Sequence, residues 1–565
     1  MSVHRLRKTA FTLLLGLIGG IVLWTIPALA EDEGLPRVTI EQHFNFREGT
    51  GRVAPGTRVS EADYKNPPSP ICSTAPSTAS NVDTDCEGNA PHNETSIAVN
   101  PTNPDNIVGS ANDYQFFVSR GGTINETIYS RAHVTFDGGR SWTTYPIDFH
   151  GYTATGDPAV AFDADGRAYA ATMGFSWSQT QFREESRTSP SILVSHSSDG
   201  GRTWSAPSRV ARGIGALGKS VGVFNDKEYI AAWGHGNAIV AYTKINQAQG
   251  GEFVNSPIYA SVTHDGGATW SEPREISGSA PFCKGPTGGH ACDESEGPVP
   301  IVGKDGHIYV AFINLRNFDE DSPGYGRDQY LLVRVDPATG RRIGGPYRVA
   351  PMFDGYYDYP VNVDGRSTYQ DSQFRTWGAG NIAADPTNAN HLAVVWSDMR
   401  NSPRPAAPDP YKATTNSDII VSQSRDGGKT WSAPKAFQGR DDQFMPWGAY
   451  DAAGRLRIGA YDRSYTPYNH KYGYTLWTET SPGSLSFGAR QLTTVLSQPT
   501  RDDNWFIFPG LNSSFPHPTT FMGDYSNIAA KPGGGVVAYW TDMRNTACWF
   551  GHCAWDQDAY FASAP

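Results

Sequence analysis

The chain is poor in charge and in long apolar runs. Charged residues make up 18% of its 565 positions, too few for a helical or disordered chain, and no long segment keeps the 3.6-residue period of an amphipathic helix. Cysteine is scarce, and the six present have spacings that match no zinc pattern. The paired glycines lack the strand-to-helix setting that cradles phosphate. His92, His133, His150, His235 and His290 are scattered, without a short metal-ligand spacing, and each reads as a structural residue. A basic excess is missing too. The net charge of −11 argues against nucleic acid and anionic membrane as partners.

One apolar run does occur, Phe11 to Leu23, preceded by Arg5, Arg7 and Lys8 and followed by Ala28-Leu29-Ala30. This is the layout of a secretory signal cleaved near Ala30, which gives a secreted or periplasmic chain beginning at Glu31. An uncleaved anchor is the alternative. No later segment is apolar enough to span a bilayer, so the mature chain carries no membrane span. In an exported chain, three close cysteine pairs read as loop-stapling disulfides: Cys72 with Cys86, Cys283 with Cys292, and Cys548 with Cys553.

What the chain has in quantity is turn formers and aromatics, with Gly 60, Pro 40 and 12% Phe, Trp and Tyr. That mixture describes many short strands joined by tight turns. Four turns are nearly the same: TFDGGRSW at Asp137, SSDGGRTWSAP at Asp199, THDGGATWSEP at Asp265 and SRDGGKTWSAP at Asp426. Each follows an alternating strand such as PSILVSHS, and Asp-Gly-Gly supplies the positive φ angles and side-chain acceptors of a tight reversal. Worn copies follow Leu331 and Tyr474. Upstream of each lies a second element of two strands, among them NETSIAVNPTNPDNIVGSAND, GDPAVAFDADGRAYAAT and GNIAADPTNANHLAVVWSDMRN, and it occurs seven times.

Repetition every roughly 60–70 residues of four short strands predicts an all-β fold, a β-propeller of four-stranded antiparallel blades. Seven blades are favoured, with six as the alternative. Residues 93–565 form the propeller, and residues 31–92 form an N-terminal extension with a disulfide loop. RVTIEQHF, Arg37 to Phe44, is a candidate for the strand that closes the ring.

The S/T-x-D-G-G-x-T/S-W turns resemble the Asp-box, or bacterial neuraminidase repeat, of the sialidase superfamily. The resemblance implies a secreted propeller and, as its most concrete form, an exo-glycosidase acting as a monomer on carbohydrate or glycoconjugate. The turn aspartates Asp137, Asp199, Asp265 and Asp426 are then structural, and they mark the end of the propeller away from the chemistry.

On the opposite, loop-rich end the starts of the inner strands carry Glu94, Asp157, Asp226, Glu296 and Asp524. A ring of acids suits general acid/base work or a bound Ca2+. Alternatively, each acid caps backbone amides at its own blade junction. The ends of the second strands add Arg316, Arg400, Arg463 and Arg544, whose planar forks suit a substrate carboxylate or a neighbouring Asp. By resemblance to a sialidase, Arg316, Arg400 and Arg544 would clamp the substrate and Asp113 would be the acid/base. Tyr461 or Tyr525 would be the nucleophile, activated by Glu94 or Glu296. The chain lacks the family's F/Y-R-I-P motif, for which LPRV at Leu35 to Val38 is a poor substitute. A non-catalytic carbohydrate- or protein-binding propeller, stabilised by Ca2+, is therefore the second reading.

Overall fold

The computed structural model describes residues 71–565 apart from 87–90, 119–123, 148–151, 153, 176–189, 216–220, 316–326, 356–357, 361–366, 371–373, 403–413, 438, 468–470, 500–506, 509–518 and 550–551. The signal segment, Arg37 to Phe44 and Arg316 lie outside these residues. Among the described residues no helix is long and apolar enough to cross a membrane.

Seven antiparallel sheets follow one another along the chain and close into a seven-bladed β-propeller. The inner strands are His92–Val99, Ala154–Phe162, Val221–Trp233, Ser295–Val302, Asn381–Ala384, Gln443–Tyr450 and Asn527–Ala530. Each touches the inner strand of the next blade, and the seventh returns to the first. All seven two-strand repeats therefore open a blade, and the copies after Leu331 and Tyr474 supply the outer hairpins of blades four and six. Their sequences could lose the Trp because strand pairing, not the turn, carries those hairpins.

The cores are sandwiched between blades. Val108, Ala132 and Val134 of the first blade meet Val160, Ala168 and Ala170 of the second. A blade has two faces to bury, so its middle strands are buried at every position, as in Ile308–Asn314 and Leu392–Asp398, and apolar area removed from water contributes about 25 cal/mol per Å².

The four Asp-Gly-Gly turns join the third and fourth strands of blades one, two, three and five. In each, the Asp carboxylate ties its own hairpin. Asp199 Oδ1 accepts hydrogen bonds from the amides of Arg202 and Thr203 at 3.0 and 2.9 Å, and Oδ2 accepts from the Thr203 hydroxyl at 2.6 Å. The Trp204 indole donates to Gly201 O at 3.0 Å. The second glycine faces the preceding blade. A Cβ on Gly428, at φ +83°, would stand 2.1 Å from Leu332. Glycine is needed there for clearance as well as for the turn.

Ring closure uses the N-terminal segment. Val82–Asp83 pairs with Asp558–Ala564 as the outer strand of the seventh blade, and Cys72–Ser73 pairs with the outer strand of the first. Among the described residues the outer strand of the seventh blade is Val82–Asp83, and Arg37 to Phe44, the candidate read from the sequence, lies outside them. Two residues of ladder carry too little alternation to be seen in a sequence. Disulfides join Cys72 to Cys86 and Cys283 to Cys292. Cys548 and Cys553 face each other across the hairpin Thr546–Trp549 and His552–Trp555, while their side chains lie outside the described residues.

Candidate active site

The inner strands enter the ring in an unusual way. In blades one, two, three, four and six the pairing with the second strand slips near the start, between Asn93 and Ser96, Gly156 and Ala159, Asp226 and Tyr229, Glu296 and Val299, and Phe444 and Trp447. Each bulge holds one residue in the left-handed region: Glu94 at φ 55°, Asp157 at 53°, Lys227 at 52°, Gly297 at 63° and Met445 at 49°. For a side chain with a Cβ this costs about 1–2 kcal/mol. A bulge re-aims the side chain it carries, and here Glu94, Asp157 and Lys227 are turned onto one another.

Lys227 is the hub. Its Nζ stands 2.8 Å from Asp157 Oδ2, 2.9 Å from Asp524 Oδ2 and 3.4 Å from Glu94 Oε1. Arg375 forks onto Asp524, its Nε donating to Oδ1 at 2.7 Å and its Nη2 to Oδ2, with Glu94 Oε1 4.0 Å away. Asn112 binds the group from the side. Its amide donates to Glu94 Oε2 at 2.7 Å, and its carbonyl accepts from the Asp157 amide at 2.8 Å. All these side chains are buried.

Asp226, Glu228 and Glu296 extend the cluster. Asp226 Oδ1 accepts from the Lys227 amide at 2.8 Å, and Trp377 Nε1 donates to Glu296 Oε1 at 3.1 Å. Neither carboxyl oxygen of Glu228, nor Oδ2 of Asp226, takes a hydrogen bond from another residue. Rings flank the charges. Lys227 Nζ lies 5.5 Å from the ring centroid of Trp377 and 5.6 Å from that of Tyr525, and Tyr229 packs against Trp447 and Tyr525.

The environment divides the carboxyls into two states. Burial, and then the charge of Asp157, push Glu94 and Glu228 well above the usual carboxyl range. Burial pushes Asp226 and Glu296 up to about 7. Burial also acts on Asp524, but Arg375 and Lys227 outweigh it and hold this carboxylate below its usual range. Lys227 itself would be lowered by burial, yet Asp157, Asp524 and Glu94 more than offset that and keep it charged.

The predicted residues part company at this point. The acids Glu94, Asp157, Asp226, Glu296 and Asp524 come together, with Tyr525 beside them. Tyr461 is placed elsewhere, between Phe444, Tyr472 and Tyr474, with its phenolic oxygen accepting from the Thr541 amide at 2.9 Å. Asp113 is buried at the junction of the first and last blades, 3.3 Å from both His92 Nε2 and Arg131 Nη1. Arg400 forks onto Asp398, and Arg544 onto Asp542, in the same strand pattern. Arg463 is fully buried, 3.4 Å from Asp442 and donating to Gln370 O at 3.0 Å.

Sequence reasoning missed Lys227, Glu228 and Arg375. Lys227 occupies the repeat position held by Glu94 and Asp157 in the first two blades, so a basic residue following two acids there was the available signal. Arg375 comes from the segment between blades four and five, which has no repeat to align. Among the described residues no group of three or more His, Cys, Asp or Glu is arranged to hold a metal. The Lys227 ammonium stands among the carboxylates for which the sequence suggested Ca2+.

No protein-family model matches the chain, and no curated protein matches it by sequence. Solved structures do. A protein of unknown function from Dyadobacter fermentans is 13% identical over 86% of this chain and 97% of its own, with a TM-score of 0.40. The NanB sialidase from Streptococcus pneumoniae is 8% identical over 81% and 83%, with a TM-score of 0.40. An alpha-L-arabinanase of Penicillium chrysogenum is 12% identical over 86% and 99%, with a TM-score of 0.40. At such identities these are likenesses of overall fold, and they carry no information on activity.

Proposed function

We propose that the chain is a glycoside hydrolase whose chemistry is carried by the carboxyl cluster around Lys227, at the end of the propeller opposite the Asp-Gly-Gly turns. One observation supports this reading most: neighbouring carboxyls of the cluster have opposite surroundings, cations on one and no donor on the other. Arg375 and Lys227 both stand on Asp524, which favours its carboxylate, while Glu228 is buried with no donor on either oxygen, which favours its acid form. Hydrolysis of a glycosidic bond needs that division, one carboxylic acid to protonate the leaving oxygen and one carboxylate to assist attack at the anomeric carbon. The aromatic rings beside the cluster suit the apolar faces of a sugar.

In this reading Glu94 or Glu228 is the acid, Asp524 or Asp157 is the base, and Lys227 and Arg375 position these carboxyls. Of the two tyrosines that the sequence offered as nucleophile, Tyr525 is the one beside the cluster. Purified chain assayed on a panel of nitrophenyl glycosides and a methylumbelliferyl sialoside should release a chromophore. Asp524→Asn and Glu94→Gln should each remove about 10²–10⁴ of the rate while keeping the circular dichroism of the parent. Failure of a folded parent to turn over any of them would sink the hydrolase reading.

A binding propeller without catalysis is favoured by a different observation: Arg400, Arg463 and Arg544 each stand beside a carboxylate of their own blade, as residues that build blade junctions do. A glycan array that shows binding together with inactivity of the parent would select it.

A further inference from the structure

The cluster has more acceptors than it has donors to fill them. Glu228 is 1% exposed, and neither of its oxygens takes a hydrogen bond from another residue; Asp226, fully buried, leaves Oδ2 in the same condition. A buried acceptor without a donor costs about 1–3 kcal/mol, and such groups in a folded protein call for an account. Cations do not answer the need. Lys227 is engaged by the carboxyl groups of Glu94, Asp157 and Asp524, and Arg375 is committed to Asp524. On the rim, Arg400 and Arg544 already have both arms on a carboxylate.

A carboxylate-bearing sugar would bring negative charge to a cluster of acids without a guanidinium at liberty among these four cations. The hydroxyls of an uncharged sugar would bring the missing donors. Resting on the hydrolase reading, we infer that the substrate is an uncharged glycoside, not a sialoside, and that Glu228 and Asp226 hold it by accepting hydrogen bonds from sugar hydroxyls. Glu228 is then a substrate-binding residue whose carboxyl is left unfilled until the sugar arrives. That explains why a side chain of this kind lies buried between Lys227 and Tyr229.

The test uses the whole chain, with nitrophenyl arabinofuranosides, galactosides and glucosides, a methylumbelliferyl sialoside, and calorimetric binding of the corresponding free sugars and of N-acetylneuraminic acid. The inference expects kcat/KM for at least one uncharged glycoside to exceed that for the sialoside by about a hundredfold or more. Turnover or binding of the sialic acid form at comparable strength overturns it and leaves the hydrolase reading standing. Binding of an uncharged sugar without turnover of any glycoside supports the inference and removes the hydrolase reading. No binding of any probe overturns both.

Glu228→Leu gives a second readout. Removing a buried group with no protein partner should raise the melting temperature of the free chain. It should also raise KM, or the sugar's Kd, about tenfold, the equivalent of one lost hydrogen bond. Glu228→Gln, which keeps an acceptor, should lie between Leu and the parent. A lowered melting temperature with unchanged sugar affinity in both variants would mean that Glu228 is structural, and would overturn its assignment.

Discussion

Lys227 of the third blade and Asp524, at the entrance of the seventh, meet at 2.9 Å inside the ring, and neither has water to fall back on. Removing one partner of a buried pair leaves the other uncompensated, typically at a cost of about 3–5 kcal/mol. Lys227→Met should therefore lower the urea midpoint by that order. It should do so less at acidic pH, where the orphaned carboxyls can be protonated. An unchanged midpoint at neutral pH would mean that the ammonium is not what holds the carboxylates together.

The raised carboxyls set a pH dependence of known sign. Asp226 and Glu296 titrate at about 7 in the folded chain, against about 4 unfolded. The stability linked to their protonated forms is complete below about pH 4, and is lost as the pH rises through about 7. Differential scanning calorimetry should show the melting temperature falling between about pH 4.5 and 7.5, and the double substitution Asp226→Asn, Glu296→Gln should flatten that slope. A parent profile that rises over the same window would contradict the assignment.

Each turn aspartate ties its own hairpin. Asp199→Ala removes the acceptor of the Arg202 and Thr203 amides and of the Thr203 hydroxyl, on a turn open to water. A loss of about 1–2 kcal/mol is expected, with kcat/KM unchanged on whichever glycoside the parent hydrolyses. A folded Asp199→Ala chain that had lost activity would place chemistry at the wrong end.

A glycine pair separates clearance from intrinsic flexibility. Gly428→Ala puts a Cβ 2.1 Å from Leu332 at φ +83°, whereas Gly488→Ala meets nothing within 4 Å. The first should cost about 1–3 kcal/mol, the range of overpacked sites; the second should be close to neutral. Thermal melts of the two, compared side by side, would decide this, and equal shifts would show that the preceding blade yields.

The clasp can be opened chemically. Cys72→Ser with Cys86→Ser removes a cross-link of sequence separation 14, worth about 3 kcal/mol in chain entropy. Amide exchange should quicken in Val82–Asp83 and Asp558–Ala564 before it does in blades three to five. Uniform exchange around the ring would argue that the closing strand holds without the bridge.

Blade number was legible because repetition enforces it: NETSIAV, GDPAVAF and GNIAADP share a pattern that one face of each inner strand must keep. The acids were legible for the same reason, since Glu94 and Asp157 recur at one repeat position. Pairing of charges was not. Whether Arg400 reaches a ligand or folds onto Asp398 depends on a side-chain torsion that no spacing encodes, and Arg375 enters from a segment with no counterpart in other blades. The bulges were hidden too, because a left-handed Glu, Asp or Lys leaves no glycine behind to mark it.

The pairing of Val82–Asp83 with Asp558–Ala564 has a consequence for the order of events at the ribosome. The strand that completes the seventh sheet is made before any of the seven inner strands, and its partner after all of them. Throughout synthesis the early strand has no sheet to join, and the growing row of blades ends in an open edge that could pair with another chain. A nascent chain stalled short of Asp558 would therefore be an arc with two exposed ends, a substrate for proteases and a seed for association, until Asp558–Ala564 converts it into a ring.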